Sequence, residues 1–135
     1  MSALVATLPL FGILVGAVLQ YFFGRTLELR KHAQLQKGQA YADYFRAFAA
    51  IATIGRTKDT LANLTDAKAR ICVYGSKEVI ARLAAFERSG ASTADTQSRA
   101  LVEELLRAMR RDVGTSTGIA IGGDLSLVLF GPPRT

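Results

Sequence analysis

The chain has 135 residues, a formal net charge of +6, 50% hydrophobic residues and a single cysteine. That length holds one modest domain and excludes a multidomain enzyme. The composition excludes a disordered chain, a collagen and a disulfide scaffold.

Charge is distributed unevenly. All 17 Lys and Arg and all 11 Asp and Glu fall between Arg25 and Arg134, and the first 24 residues carry none. Residues 3–23 read ALVATLPLFGILVGAVLQYFF, with Thr7, Gln20 and Tyr21 as the only polar members. A bilayer core of ~30 Å needs ~20 helical residues at 1.5 Å each. A buried core helix is rarely apolar on every face. A cleaved signal peptide wants a basic start and a small-x-small exit, and neither is present. The stretch therefore predicts an uncleaved transmembrane anchor over residues 1–24.

Arg25, Arg30, Lys31 and Lys37 against Glu28 give the following flank a formal +3. Basic flanks stay on the cytoplasmic side, so the N-terminus is expected outside and the remainder inside the cell. These four basic residues are expected at the membrane surface against anionic lipid. Tyr21, Phe22 and Phe23 would form the inner aromatic belt. Gly12, Gly16, Gln20 and Gly24 recur every four residues and define an expected helix-packing face, while Pro9 invites a kink.

Beyond the anchor, residues 25–114 read as a small cytoplasmic helical bundle. A first helix runs to Ile54 and stops at Gly55; its stripe of Tyr41, Tyr44, Phe45, Phe48 and Ile51 marks core, with Asp43 and Arg46 on the other face. A second helix spans Lys58 to Tyr74, with Leu61, Leu64, Ala67 and Ile71 inward and Gly75 as a left-handed stop. Ser76 caps a third helix from Lys77 to Arg88, with Val79, Ile80 and Leu83 buried. A fourth runs from about Asp95 to Val113, with Val102, Leu105, Leu106 and Met109 inward and Gly114 as its stop. The tail, residues 115–135, offers either a hairpin or, the preferred reading, a loop and a short helix capped by Asp124 and closed by Gly131-Pro132. The fold class is thus all-α, one transmembrane helix followed by a bundle.

Groups for chemistry are scarce. His32 is the only histidine and Cys72 the only cysteine; the first reads as solvated and the second as a small buried hydrophobe. Glu103 and Glu104 are adjacent and point about 100° apart on a helix, which is no acid–base pair. No catalytic, cofactor or metal residue is predicted, and no base-reading motif accompanies the positive charge, so nucleic acid is not an expected partner.

Three stretches, Gln39-Ala-Tyr-Ala-Asp-Tyr-Phe-Arg-Ala, Val73-Tyr-Gly-Ser and Met109-Arg-Arg-Asp-Val-Gly, resemble a recurring type of small bacterial single-span membrane protein. The resemblance covers most of the chain and implies bacterial inner-membrane placement. It implies no activity and no site residue.

The sequence therefore points to a non-enzymatic, membrane-anchored accessory or scaffold subunit. Its expected partners are membrane lipids and either further copies of itself or other membrane subunits. The alternative is a single-span sensor or effector that binds a small ligand among its cytoplasmic helices.

Overall fold

The structure, a computed structural model, describes residues 2–114 and 122–132, with side chains for 13–114 and 124–132. Five helices follow in order: α1 (Ser2–Ile54), α2 (Lys58–Tyr74), α3 (Lys77–Arg88), α4 (Thr96–Asp112) and α5 (Gly122–Phe130). No strand occurs among the described residues. The chain divides into two units, Met1–Leu35 and Gln36–Thr135.

The helix boundaries follow from local chemistry. At Gly55 the backbone takes φ +98, a left-handed turn that glycine adopts without a Cβ clash, and its N–H closes α1 on the Ile51 carbonyl at 3.0 Å. Thr57 and Thr60 then cap α2 reciprocally: each hydroxyl accepts the other's backbone N–H, at 3.2 and 2.9 Å. Ser76 caps α3 by accepting from the Val79 N–H at 3.3 Å. Asp95 caps α4 by accepting from the Ser98 N–H at 2.7 Å and the Ser98 hydroxyl at 2.9 Å. The bounds of α2 and α3 coincide with those read from the sequence.

The core lies in the second unit. Tyr44 of α1, Ile71 of α2, Val79 and Phe86 of α3 and Leu105 of α4 are its largest fully buried side chains. Aromatic rings organise one end. Tyr44 meets Phe45 edge-on at 5.5 Å and Phe48 stacked at 6.4 Å, and Phe48 meets Phe86 edge-on at 5.7 Å. Tyr41, Leu83, Val102 and Met109 are buried with them, among the small Ala40, Ala47, Ala67 and Ala108, and Phe45 and Leu64 pack half-buried against this core. In the tail, residues 125–130 are helical, so the hairpin does not form there. Asp124 lies inside the first turn of α5 instead of capping it, and Thr115–Ile121 lie outside the described residues. The Arg99 guanidinium sits 5.3 Å from the Phe130 ring centroid, while Leu127 and Val128 are exposed.

Several expectations are corrected. Among the described residues no helix is long and apolar enough to cross a membrane. Within the described residues, the 18-residue stretch that begins at Ile13 already takes in Arg25, Glu28 and Arg30. This overturns the transmembrane anchor. The single-pass reading falls with it, as do the inner-membrane placement, the outer N-terminus and the cytoplasmic bundle. Residues 3–12 of the expected span, with Pro9 and Gly12, lie outside the described side chains. Leu61, expected in the core, is 42% exposed, because it stands about 100° round the helix from the buried line of Thr60, Ala67 and Ile71. Ile80 and Cys72 are exposed as well. Gly75 is extended, at φ −72 and ψ 151, with no left-handed turn.

The burial pattern fixes an energetic contrast. Phe86→Ala should cost about 3–5 kcal/mol in urea denaturation, from lost transfer energy plus a cavity. Leu61→Ala should cost about 1 kcal/mol or less. Equal losses would contradict the assignment of the core.

Candidate functional site

Asp112 is the last residue of α4. A carboxylate there faces the negative end of its own helix dipole, an unfavourable position that demands compensation. Three donors supply it. The Lys37 ammonium lies 2.9 Å from Oδ1, the Tyr41 hydroxyl donates a short hydrogen bond to Oδ2, and the Ser76 backbone N–H donates to Oδ2 at 3.0 Å. Lys37 and Tyr41 stand one turn apart on α1, so a single helical face presents both. Ser76 opens α3, whose positive dipole end therefore also points at the carboxylate. One side chain thus ties α1, the turn between α2 and α3, and α4.

The cluster is largely shielded from water. The side chains of Lys37 and Asp112 are 16% and 11% exposed. Burial pushes the Asp112 carboxyl up, but the Tyr41 hydroxyl, the Lys37 ammonium and the Ser76 amide together hold it below its ordinary value. The Tyr41 phenol is pushed above the usual range, first by burial and then by the neighbouring carboxylate. Burial, with the charge of Glu87, does the same to Tyr44. Both phenols stay neutral at physiological pH and serve as hydrogen-bonding, space-filling groups.

Gly75 makes the turn fit. A Cβ there would lie 2.6 Å from the Ile71 carbonyl oxygen and 3.3 Å from the Tyr41 hydroxyl oxygen. The residue is required for close approach, since its backbone angles suit any residue.

Beside the cluster runs an open apolar groove of about 200 Å³. Gly38, Ala42 and Phe45 of α1 line it with Leu106, Met109 and Arg110 of α4 and with Val113 just past its end, and Tyr41 joins it to the Asp112 cluster. Gly38 is unusual here: it lies inside a helix, and an added Cβ would meet nothing within 4 Å. Neither backbone angle nor packing requires it.

Other charged pairs stitch the helices at the surface. Asp43 accepts from Arg46 at 2.9 Å and from Arg70 at 2.8 Å, and Arg70 also holds Asp66. Lys68 pairs with Glu87 at 2.7 Å, Arg82 with Glu104 at 2.5 Å and Arg111 with Glu78 at 2.5 Å. Exposed pairs of this kind contribute about 0–1 kcal/mol each.

The residues singled out by sequence fall into two places. Arg25, Arg30, Lys31 and His32 are exposed on α1 in the first unit, as are Gly16, Gln20 and Gly24. Lys37 leaves this basic group, because Asp112 draws it into the second unit. Sequence reasoning gave Asp112 no role. The signal was present as an acidic residue ending a helix where the dipole favours cations, directly after Arg110 and Arg111. The three motif stretches, read separately in the sequence, meet at this carboxylate through Tyr41, Ser76 and Asp112 itself. Among the described residues no group of three or more His, Cys, Asp and Glu is placed to hold a metal ion.

In comparisons with known proteins, the chain matches no protein-family model, no curated protein and no solved structure.

The unfolded Asp112 carboxyl titrates near 3.9 and the folded one lower, so its contribution is complete above about pH 4 and is lost as pH falls through the folded value. Asp112→Asn should cost about 2 kcal/mol at neutral pH and flatten the acid limb of a stability–pH curve; an unchanged acid limb would contradict the hub. Gly75→Ala should destabilise by about 1–3 kcal/mol through overpacking, whereas Gly38→Ala should stabilise by about 0.5–1 kcal/mol. Both are read as shifts in the urea midpoint.

Proposed function

We propose that the chain is a non-enzymatic interaction protein, an accessory or scaffold subunit of a larger assembly. One observation carries this reading. Between Ile13 and Leu35, eleven large apolar side chains of α1 are exposed, from 45% at Val15 to 72% at Ile13. Residues within consecutive triplets such as Ile13-Leu14-Val15 and Tyr21-Phe22-Phe23 stand about 100° apart around the axis, so up to Gly24 no charged face offsets them. Covering these side chains is worth on the order of 10 kcal/mol at ~2 kcal/mol per fully buried group. That is comparable to the whole net stability of a typical domain, about 5–15 kcal/mol. A surface of this kind is a contact surface.

Crosslinking of the intact protein in its native setting should trap a discrete, stoichiometric higher-mass species through residues 13–35. A monomeric, partnerless chain across a wide concentration range would defeat the reading.

The groove beside Asp112 supports a second reading, a helical domain that binds a small apolar ligand between α1 and α4. The bare floor at Gly38 is its specific observation. A thermal-shift screen of the full chain should then find a compound whose stabilisation disappears in Gly38→Met, which fills the groove. A stabilisation that survives this substitution places the ligand elsewhere.

A further inference from the structure

We infer that the groove between α1 and α4 takes an anionic amphiphile, a short apolar tail ending in a carboxylate, with Arg110 meeting the head. The inference rests on the ligand-binding reading above and names the chemical class of that ligand.

The lining specifies the tail. Phe45, Leu106, Met109 and Val113 offer it apolar surface, and the Met109 thioether adapts to irregular shapes. Gly38 keeps the space open. A glycine inside a helix is destabilising relative to alanine, yet a Cβ here would meet nothing within 4 Å. A ligand seated above Gly38 accounts for a residue that neither the backbone nor the packing demands. A dry cavity of ~150 Å³ holds benzene. At about 200 Å³ this groove therefore takes a tail of roughly seven or eight carbons.

Shape and charge specify the head. The groove is open on one side, so a wholly apolar ligand would leave part of its surface in water, whereas an amphiphile turns its polar end there. Among the described residues that line the groove, Arg110 alone carries a charge. The Asp112 carboxylate adjoins through Tyr41, but both its oxygens already accept from Lys37, Tyr41 and the Ser76 amide. Arg107 and Arg111, on the same turns of α4, are offset by Glu103 and Glu78. The local sign is therefore set by Arg110. Its guanidinium presents five N–H donors, enough to meet a carboxylate alongside the contact it already makes. A carboxylate accepts two of them in parallel as charge-assisted bonds. A hydroxyl head forgoes the charge, and an ammonium head is repelled.

The test titrates the full chain with octanoate, octanol and octylammonium, three ligands that share one tail length, and follows the amide proton–nitrogen shifts. Octanoate should move the amides of Gly38 and Val113 and bind at least tenfold tighter than octylammonium. Arg110→Met should weaken octanoate about tenfold and leave octanol within about twofold, since only the head contact is lost. Gly38→Met should abolish binding of both. The urea midpoint is the control for folding, and the ligand series on the unsubstituted chain decides the matter should Arg110→Met lower it. Octylammonium bound as tightly as octanoate, or octanoate indifferent to Arg110→Met in a folded chain, overturns the inference. If octanol still moves Gly38 and is lost in Gly38→Met, the inference fails and the ligand-binding reading stands. Shifts confined to residues 13–24, binding that survives Gly38→Met, or no binding of any of the three overturns both.

Discussion

The carboxylate of Asp112 sits where its own helix dipole repels it, and the arrangement of the bundle answers that repulsion. Lys37 and Tyr41 must lie on one face of α1. The turn after α2 must bring the Ser76 amide inward, and Gly75 must lack a side chain for that turn to approach Tyr41. A buried, partnered charge of this kind adds little net stability compared with an apolar replacement. Losing one partner is costly, however, because the remaining charge stays away from water. The cluster therefore acts as a register pin among three elements, while the apolar contacts of Tyr44, Ile71, Phe86 and Leu105 supply the driving force.

Much of the bundle is legible in the sequence because its punctuation is local. Ser76 as a cap, glycine at position 55 and the helical spacing of Tyr41, Tyr44 and Ile71 each act over a few residues. Those signals place α2 and α3 to the residue. The site is less legible, because Lys37 and Asp112 are separated by 75 positions and nothing local marks them as partners. Lys37 read as one more cation of a basic collar. Leu61 read as core because it stands one turn from Leu64, whereas the buried line of α2 runs through Thr60, Ala67 and Ile71. Gly75 read as a left-handed stop because that is the commoner use of glycine after a helix, whereas its role here is steric. The transmembrane reading rested on the run from Ala3 to Phe23 taken by itself, whereas from Ile13 onward the described helix leads into Arg25, Glu28, Arg30 and Lys31 within two turns of Gly24.

The two units present different physical problems. Residues 36–135 bury their own apolar groups around a shared core, and their surface is laced with ion pairs. From Ile13 to Leu35 the first unit buries nothing of its own, and its side chains are apolar on every face up to Gly24.

The central claim is that this apolar helix surface is covered when the protein is in its functional state. Hydroxyl-radical labelling of Tyr21, Phe22, Phe23 and Leu27 in the native assembly reads that cover directly. The account predicts labelling several-fold below that of the same residues after denaturation, and comparable to that of the buried Tyr44 and Phe86. Labelling of Phe22 and Phe23 at the denatured rate in the native state would contradict it.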